Sequence, residues 1–177
     1  LDEFVLDTDQ RSKDYMNGAD ISWVSQVKPF IEQFSNVGDL VFDPFAGLGT
    51  TLLGAGLLGR RSEGIEIDQS RFNELKRRIE RYKSQLSENP IIHCGDTLQL
   101  EYPTEVDLIL TNYPYFHATP VSEKGNIYSV GNYQEYLNQI ERIIVKCKAA
   151  LKKNGYMLVF TENIRLANGN MLPQAYD

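Results

Sequence analysis

The chain is predicted to be α/β, with a doubly wound, open and mainly parallel sheet. Three observations lead there. Apolar runs of strand length alternate with stretches of helical period from Trp23 to Phe160. Val106 to Leu110 is apolar at nearly every position, the pattern of a strand buried on both faces of a parallel sheet. A glycine-rich turn, Gly47-Leu48-Gly49, stands between a strand and a helix, where a parallel crossover begins.

The elements follow in chain order. Residues 1–20 are polar, with a short strand at Phe4-Val5-Leu6, and read as an extension ahead of one domain over 21–177. Trp23, Val27, Ile31 and Phe34 recur at helical spacing, so Trp23 to Phe34 is a helix that Pro29 kinks or restarts. Asp39 to Phe42 is the first strand, Thr50 to Leu58 a helix closed by Gly59, and Gly64 to Ile67 the second strand. Ser70 to Leu86 is a helix whose buried stripe is Phe72, Leu75, Ile79, Tyr82 and Leu86. The run Lys76-Arg77-Arg78 with Arg81 forms its solvated face. Ile91 to Cys94 and Val106 to Leu110 are strands three and four. Tyr133 to Leu151 is a long helix with Tyr133, Leu137, Ile140, Ile144, Cys147 and Leu151 inward. Lys152-Lys153 suit its dipole and Asn154-Gly155 stop it. Tyr156 to Phe160 is the fifth strand, and Leu172-Pro173-Gln174 opens a further helix.

Composition narrows the function classes. A chain of 177 residues, 42% hydrophobic and 24% charged, is long enough to bury a core of its own. No apolar run reaches the roughly 20 residues of a membrane span, and Leu1-Asp2-Glu3-Phe4 has neither the basic start nor the apolar stretch of a secretory signal. Cys94 and Cys147 are far apart in unrelated patterns, which fits two buried thiols in a reducing cytoplasm. His93 and His117 are the only histidines, so no metal site is expected. The net charge of −6 does not advertise a polyanion partner. If nucleic acid is the partner, another domain or subunit supplies the phosphate contacts.

The sharpest motif is Asp43-Pro44-Phe45-Ala46-Gly47-Leu48-Gly49-Thr50-Thr51. Gly47 and Gly49 let a ligand lie against the backbone, and the helix start beyond them leaves N–H groups unpaired. A plain tight turn needs the glycines but not the Asp-Pro-Phe before them. A dinucleotide loop would carry a third glycine where Leu52 stands, and a phosphate would be repelled by Asp43. S-adenosylmethionine has no phosphate, and its ammonium and sulfonium suit a carboxylate. The residues favour that cofactor.

This stretch resembles the cofactor motif of DNA amino-methyltransferases, the adenine-N6 and cytosine-N4 enzymes, and Leu58-Gly59-Arg60-Arg61 with Gly64 to Asp68 resembles its continuation. The resemblance implies a Rossmann-like class I methyltransferase fold. It also implies a cofactor site of Asp43, Pro44, Phe45, Ala46, Gly47, Gly49, Thr50, Thr51, Glu66, Ile67, Asp96 and Thr97. Glu66 there accepts the ribose hydroxyls, and an acid about 20 positions past a glycine loop is where a ribose diol lies. Asp96, in Gly95-Asp96-Thr97, receives the adenine amino group.

Thr111-Asn112-Tyr113-Pro114-Tyr115-Phe116 resembles the (Asp/Asn/Ser)-Pro-Pro-(Tyr/Phe) catalytic turn of the same family, with Tyr113 in place of the first proline. By resemblance Asn112, Tyr113, Pro114 and Tyr115 are the catalytic set. Asn112 Oδ1 and a nearby carbonyl accept the amine's two N–H bonds, and Tyr115 stacks on a flipped base. In a doubly wound sheet ligands bind where the strand order reverses, and the resemblance implies that strands one and four are neighbours there, about 4.8 Å apart, so both motifs face one crevice.

Asp20-Ile21-Ser22-Trp23 resembles the segment over the methionine end of the cofactor, with Trp23 equally suited to the core. The loop from His117 to Gly131 reads as a lid or substrate loop, with Lys124 a phosphate contact. The family's sheet ends in an antiparallel hairpin, for which the residues after Thr161 are too few, so the chain is expected to be part of a larger enzyme. The expected function is methylation of adenine N6 or cytosine N4 in DNA, in the cytoplasm and within restriction-modification. Methylation of guanine N2 in RNA and a catalytically silent binding subunit stand as alternatives.

Overall fold

The computed structural model describes residues 22–114, 116, 127, 130–161, 164–165 and 171–172. The expectations at Phe4–Leu6, Asp20–Ile21, Tyr115, Lys124 and most of the loop from His117 lie outside them. Helix α1 (Val24–Phe34) is followed by β1 (Leu40–Asp43), α2 (Thr50–Leu57), β2 (Arg61–Glu66), α3 (Gln69–Tyr82), β3 (Ile91–Cys94) and β4 (Val106–Asn112). Then come α4 (Tyr133–Ala150), β5 (Leu151–Phe160), β6 (Ile164–Arg165) and β7 (Met171–Leu172). The main sheet has the order β3-β2-β1-β4-β5, parallel at every pairing, and it reverses between β1 and β4 as expected. Strands β6 and β7 form a separate antiparallel ladder.

Period-2 alternation in the central strands explains why both faces are covered. Val41, Leu108 and Leu110 pack with Val27 and Ile31 of α1 and Ala55 of α2. Phe42 and Ile109 face the other way, against Ile140, Ile143 and Cys147 of α4. Leu75 of α3 meets Leu52 of α2 and Ala46 of the loop. Pro29 sits inside α1 at an exposed position and the helix runs through it.

Several elements differ from expectation. Helix α4 buries Tyr136, Ile140, Ile143, Cys147 and Ala150, and leaves Ile144 42% exposed. The observed and expected stripes share Ile140 and Cys147 but diverge by one position elsewhere, because two adjacent apolar ridges run along this helix. Asn154-Gly155 does not stop α4, which ends at Ala150. These residues lie within β5, beside a register shift between Val106 and Leu108. A Cβ on Gly155 would stand 2.8 Å from Val106 O, so glycine permits this close approach. Strand β2 begins at Arg61, and Ile67 falls beyond its end. Helix α3 stops at Tyr82 and passes into a 3₁₀ turn, Lys83–Gln85. Leu172 lies in a strand rather than at a helix start. Cys94 is exposed because β3 is an edge strand, and only Cys147 is a buried thiol, its pKa pushed up to about 12 by burial.

Candidate functional site

The glycine loop runs from the end of β1 to the start of α2. Gly47 has φ +54° and Gly49 φ +81°, left-handed conformations that glycine adopts without strain. Gly49 is the N-cap of α2, and a Cβ there would fall 2.2 Å from Leu75 Cδ1. Ala46 N donates to Ile65 O at 2.8 Å and ties the loop down onto β2. Gly64 makes that possible, because its absent Cβ would meet Ala46 Cβ and Leu52 Cδ1 at 2.9 Å. Arg78, expected on the solvated face of α3, is instead buried and donates to Leu48 O within the loop. A helix-wheel reading assigns an arginine outward by charge; here a loop carbonyl draws it in.

Two carboxylates lie beneath the loop. Asp43 is 4% exposed, and its Oδ1 accepts from Thr111 Oγ1 at 2.6 Å and from Phe45 N at 3.0 Å. Burial lifts its pKa to about 6 against the pull of these bonds and one from Thr51. The sequence reading offers Asp43 to a ligand cation; in the fold it is the joint between β1 and β4. Glu66 is also buried. Its Oε2 accepts from Gly47 N at 2.8 Å and its Oε1 from Asp68 N at 2.7 Å, and burial raises its pKa. A carboxylate offers about four lone-pair sites, so both oxygens keep acceptor capacity.

The other expected residues are placed as follows. Pro44 and Thr51 are buried, and Thr50 Oγ1 donates to Ser22 O at 2.9 Å. Asp96 Oδ1 accepts from Leu98 N at 2.9 Å, an Asx turn after β3. Thr97 is buried with its hydroxyl 2.6 Å from Tyr102 OH, so that side chain is engaged within the fold. Asn112 ends β4 in register with Phe160 and is exposed. Tyr113 turns inward: it is 8% exposed, its ring meets Phe45 edge-on at 5.7 Å, and its hydroxyl has no hydrogen-bond partner among the described residues. Pro114 O accepts from Tyr136 OH at 2.9 Å. Trp23 is the N-cap of α1, its backbone N donating to Gln26 Oε1 at 2.9 Å.

The loop and the turn after β4 therefore touch directly, through Thr111–Asp43 and Tyr113–Phe45. A family model described as DNA methylase, the N6/N4 type, matches residues 24–77. A probable tRNA (guanine(10)-N2)-dimethyltransferase of Methanothermococcus thermolithotrophicus is 31% identical over 150 residues, 79% of this chain and 80% of the relative. The chain belongs to the same methyltransferase family as this relative.

Further relatives are named as type II methyltransferases and as tRNA methyltransferases. The type II methyltransferase M.MthZI of Methanothermobacter thermautotrophicus is 27% identical over 108 residues, covering 61% of this chain and 30% of that protein. The chain likewise spans 28% of a tRNA (guanine(10)-N2)-dimethyltransferase from the same organism. It thus spans about a third of these longer relatives. The glycopeptide N-methyltransferase MtfA, solved with sinefungin, shares the fold at a TM-score of 0.59 and 14% identity, over 90% of this chain and 61% of that one.

Sequence reasoning passed over Thr111, Gly64, Tyr136 and Lys146. Thr111 was readable as a hydroxyl directly ahead of the family's turn, and Gly64 as a glycine inside a strand. Nothing local marks Tyr136 or Lys146, whose partners are 22 and 46 to 49 residues away. Among the described residues no helix is long and apolar enough to cross a membrane, and no group of three or more His, Cys, Asp or Glu could hold a metal ion.

Proposed function

We propose that this chain is the cofactor-binding and catalytic part of an S-adenosylmethionine-dependent methyltransferase acting on an exocyclic amine of a nucleic-acid base, adenine N6 or cytosine N4 of DNA in the first reading. The observation that carries it is the joint between the two motifs, Thr111 Oγ1 donating to Asp43 Oδ1 at 2.6 Å. Through it the strand that ends in Asn112 and the strand that opens the glycine loop share one rim at the reversal of the sheet, where such folds bind ligands.

The residues suit the cofactor. Gly47 leaves its side open, with Phe45 O at 3.9 Å as the nearest atom to an added Cβ. Glu66, desolvated and with lone pairs to spare, is relieved by donors such as a ribose diol. Asp96 keeps one carboxylate oxygen for an amino group. When bound, S-adenosylmethionine supplies a methyl group on a sulfonium, an electrophile.

The chain's own residues orient the nucleophile. An exocyclic amine is weak because its lone pair is spread into the ring. Asn112 Oδ1 accepts one of its N–H bonds and a carbonyl of the following turn accepts the other, so the nitrogen turns tetrahedral and its lone pair points at the methyl. Orientation of this kind supplies most of the acceleration. Tyr136 holds the turn through Pro114 O. The proton released from nitrogen passes to water. Tyr115 is assigned to stacking on the base.

With a net charge of −6, the chain relies on a further target-recognition domain or subunit for phosphate contacts. A second reading, guanine N2 of tRNA, is favoured by the 31% identity to the Methanothermococcus thermolithotrophicus relative over 80% of its length. Tritiated-methyl transfer to DNA and to tRNA, with Asn112→Ala as control, tests both. Incorporation into one polymer that Asn112→Ala abolishes is the expected result. Wild-type incorporation by Asn112→Ala refutes the assignment, and cofactor binding without transfer to either polymer leaves a silent binding subunit.

A further inference from the structure

Lys146 projects from α4 toward the loop after β3. Its Nζ donates to Thr97 O at 2.7 Å and to Leu100 O at 2.6 Å, and lies 4.3 Å from the centroid of the Tyr102 ring. These two carbonyls close a turn built on Asp96, whose backbone O accepts from Gln99 N at 2.9 Å and Leu100 N at 3.0 Å. Asp96 Oδ1 also caps Leu98 N. One side of the turn is thus held by Asp96 itself, and the carbonyls of the other are held by the ammonium, beside the Thr97–Tyr102 hydroxyl contact. Asp96 lies close enough to favour the charged lysine electrostatically, against a partial desolvation that lowers its pKa. A long side chain gives up rotamer freedom when fixed this way. Tyr102 alone could have been covered by any apolar residue.

We propose that Lys146 is a positioning residue for the nucleoside half of the cofactor site: by clamping Thr97 O and Leu100 O it fixes the turn that aims the Asp96 carboxylate at the base of the bound nucleoside. This rests on the methyltransferase reading above, with Asp96 as the group that receives the adenine amino hydrogen. The same helix anchors the turn after β4 through Tyr136 and Pro114 O, so α4 braces both rims of the site from one face of the sheet.

The test compares two probes by titration calorimetry: S-adenosylhomocysteine and S-inosylhomocysteine, which carries an oxygen where adenine carries its amino group. The wild-type chain prefers the adenosyl compound by about tenfold or more, the worth of one hydrogen bond to a charged acceptor. Lys146→Met reduces that preference to within about threefold by weakening the adenosyl compound alone, a selective loss that general loosening does not produce. Lys148→Met, exposed on the same helix, leaves the preference unchanged. Equal weakening of both probes, or an undiminished preference in Lys146→Met, overturns the proposal. Failure of the wild-type chain to bind either probe refutes instead the methyltransferase reading beneath it.

Discussion

Tyr113 stands where the turn it resembles carries its first proline, and its hydroxyl provides a sharp test of how that turn is built. The group is buried and has no partner among the described residues, with burial pushing the phenol pKa up, so it stays neutral. Leaving one buried hydroxyl unbonded costs about 1–3 kcal/mol. Tyr113→Phe removes that cost, keeps the ring against Phe45, and leaves a gap of a single oxygen, which takes back a few tenths of a kcal/mol at about 24 cal/mol per Å³. The net gain is about 1 kcal/mol. For 177 residues the unfolding entropy is roughly 0.37 kcal/mol per kelvin, so Tm rises by about 3 °C. Calorimetry with matched urea titrations measures it, and methyl transfer stays within about twofold because the hydroxyl touches no reacting atom. Tyr113→Ala is the contrast: removing the ring costs about 3–5 kcal/mol and loosens the loop. A fall in stability for Tyr113→Phe refutes the reasoning, since it means the hydroxyl is bonded in solution.

Two further outcomes follow from the site's geometry. Asp43 has a folded pKa raised from 3.8 to about 6, so the native chain binds the extra proton between these values. Its contribution is full below about pH 4 and is lost as pH rises through about 6, a decline of about 3 kcal/mol relative to Asp43→Asn. Urea titrations of both proteins from pH 4 to 7 check this, and a difference that stays flat sinks the assignment. Tyr136→Phe removes the bond to Pro114 O, costing about 1 kcal/mol of stability. It lowers kcat roughly tenfold through the displaced turn, while affinity for S-adenosylhomocysteine holds. A matched loss of affinity would show that the residue supports the loop rather than the turn.

The legible features were local. The glycine loop, the span of β3 and the buried run of β4 follow from short patterns, while the adjacency of β1 and β4 came from the resemblance of the two motifs to one family. The phase of α4 was not legible, since two neighbouring stripes satisfy the same 4-3-4-3 rhythm. Its choice was made by Tyr136 reaching Pro114 and by the packing of Ile143 on the sheet. Gly155 misled for a related reason: a glycine after a helix signals a stop, yet here it admits a neighbouring strand's backbone.

What the chain's order of residues determined alone is the inventory of chemistry: a loop with two obligate glycines, carboxylates after strands one, two and three, and an amide at the end of strand four. Hydrogen-bonding capacity and backbone freedom belong to each residue and survive any fold. Only the tertiary structure decided which of those groups are spent internally. Asp43 is consumed in joining two strands, Thr97 faces Tyr102, Tyr113 lies inside, and Arg78 and Lys146 serve loop carbonyls. The physical reason is that a buried polar group must find its partner wherever the fold brings one, and such partners lie tens of residues away in sequence.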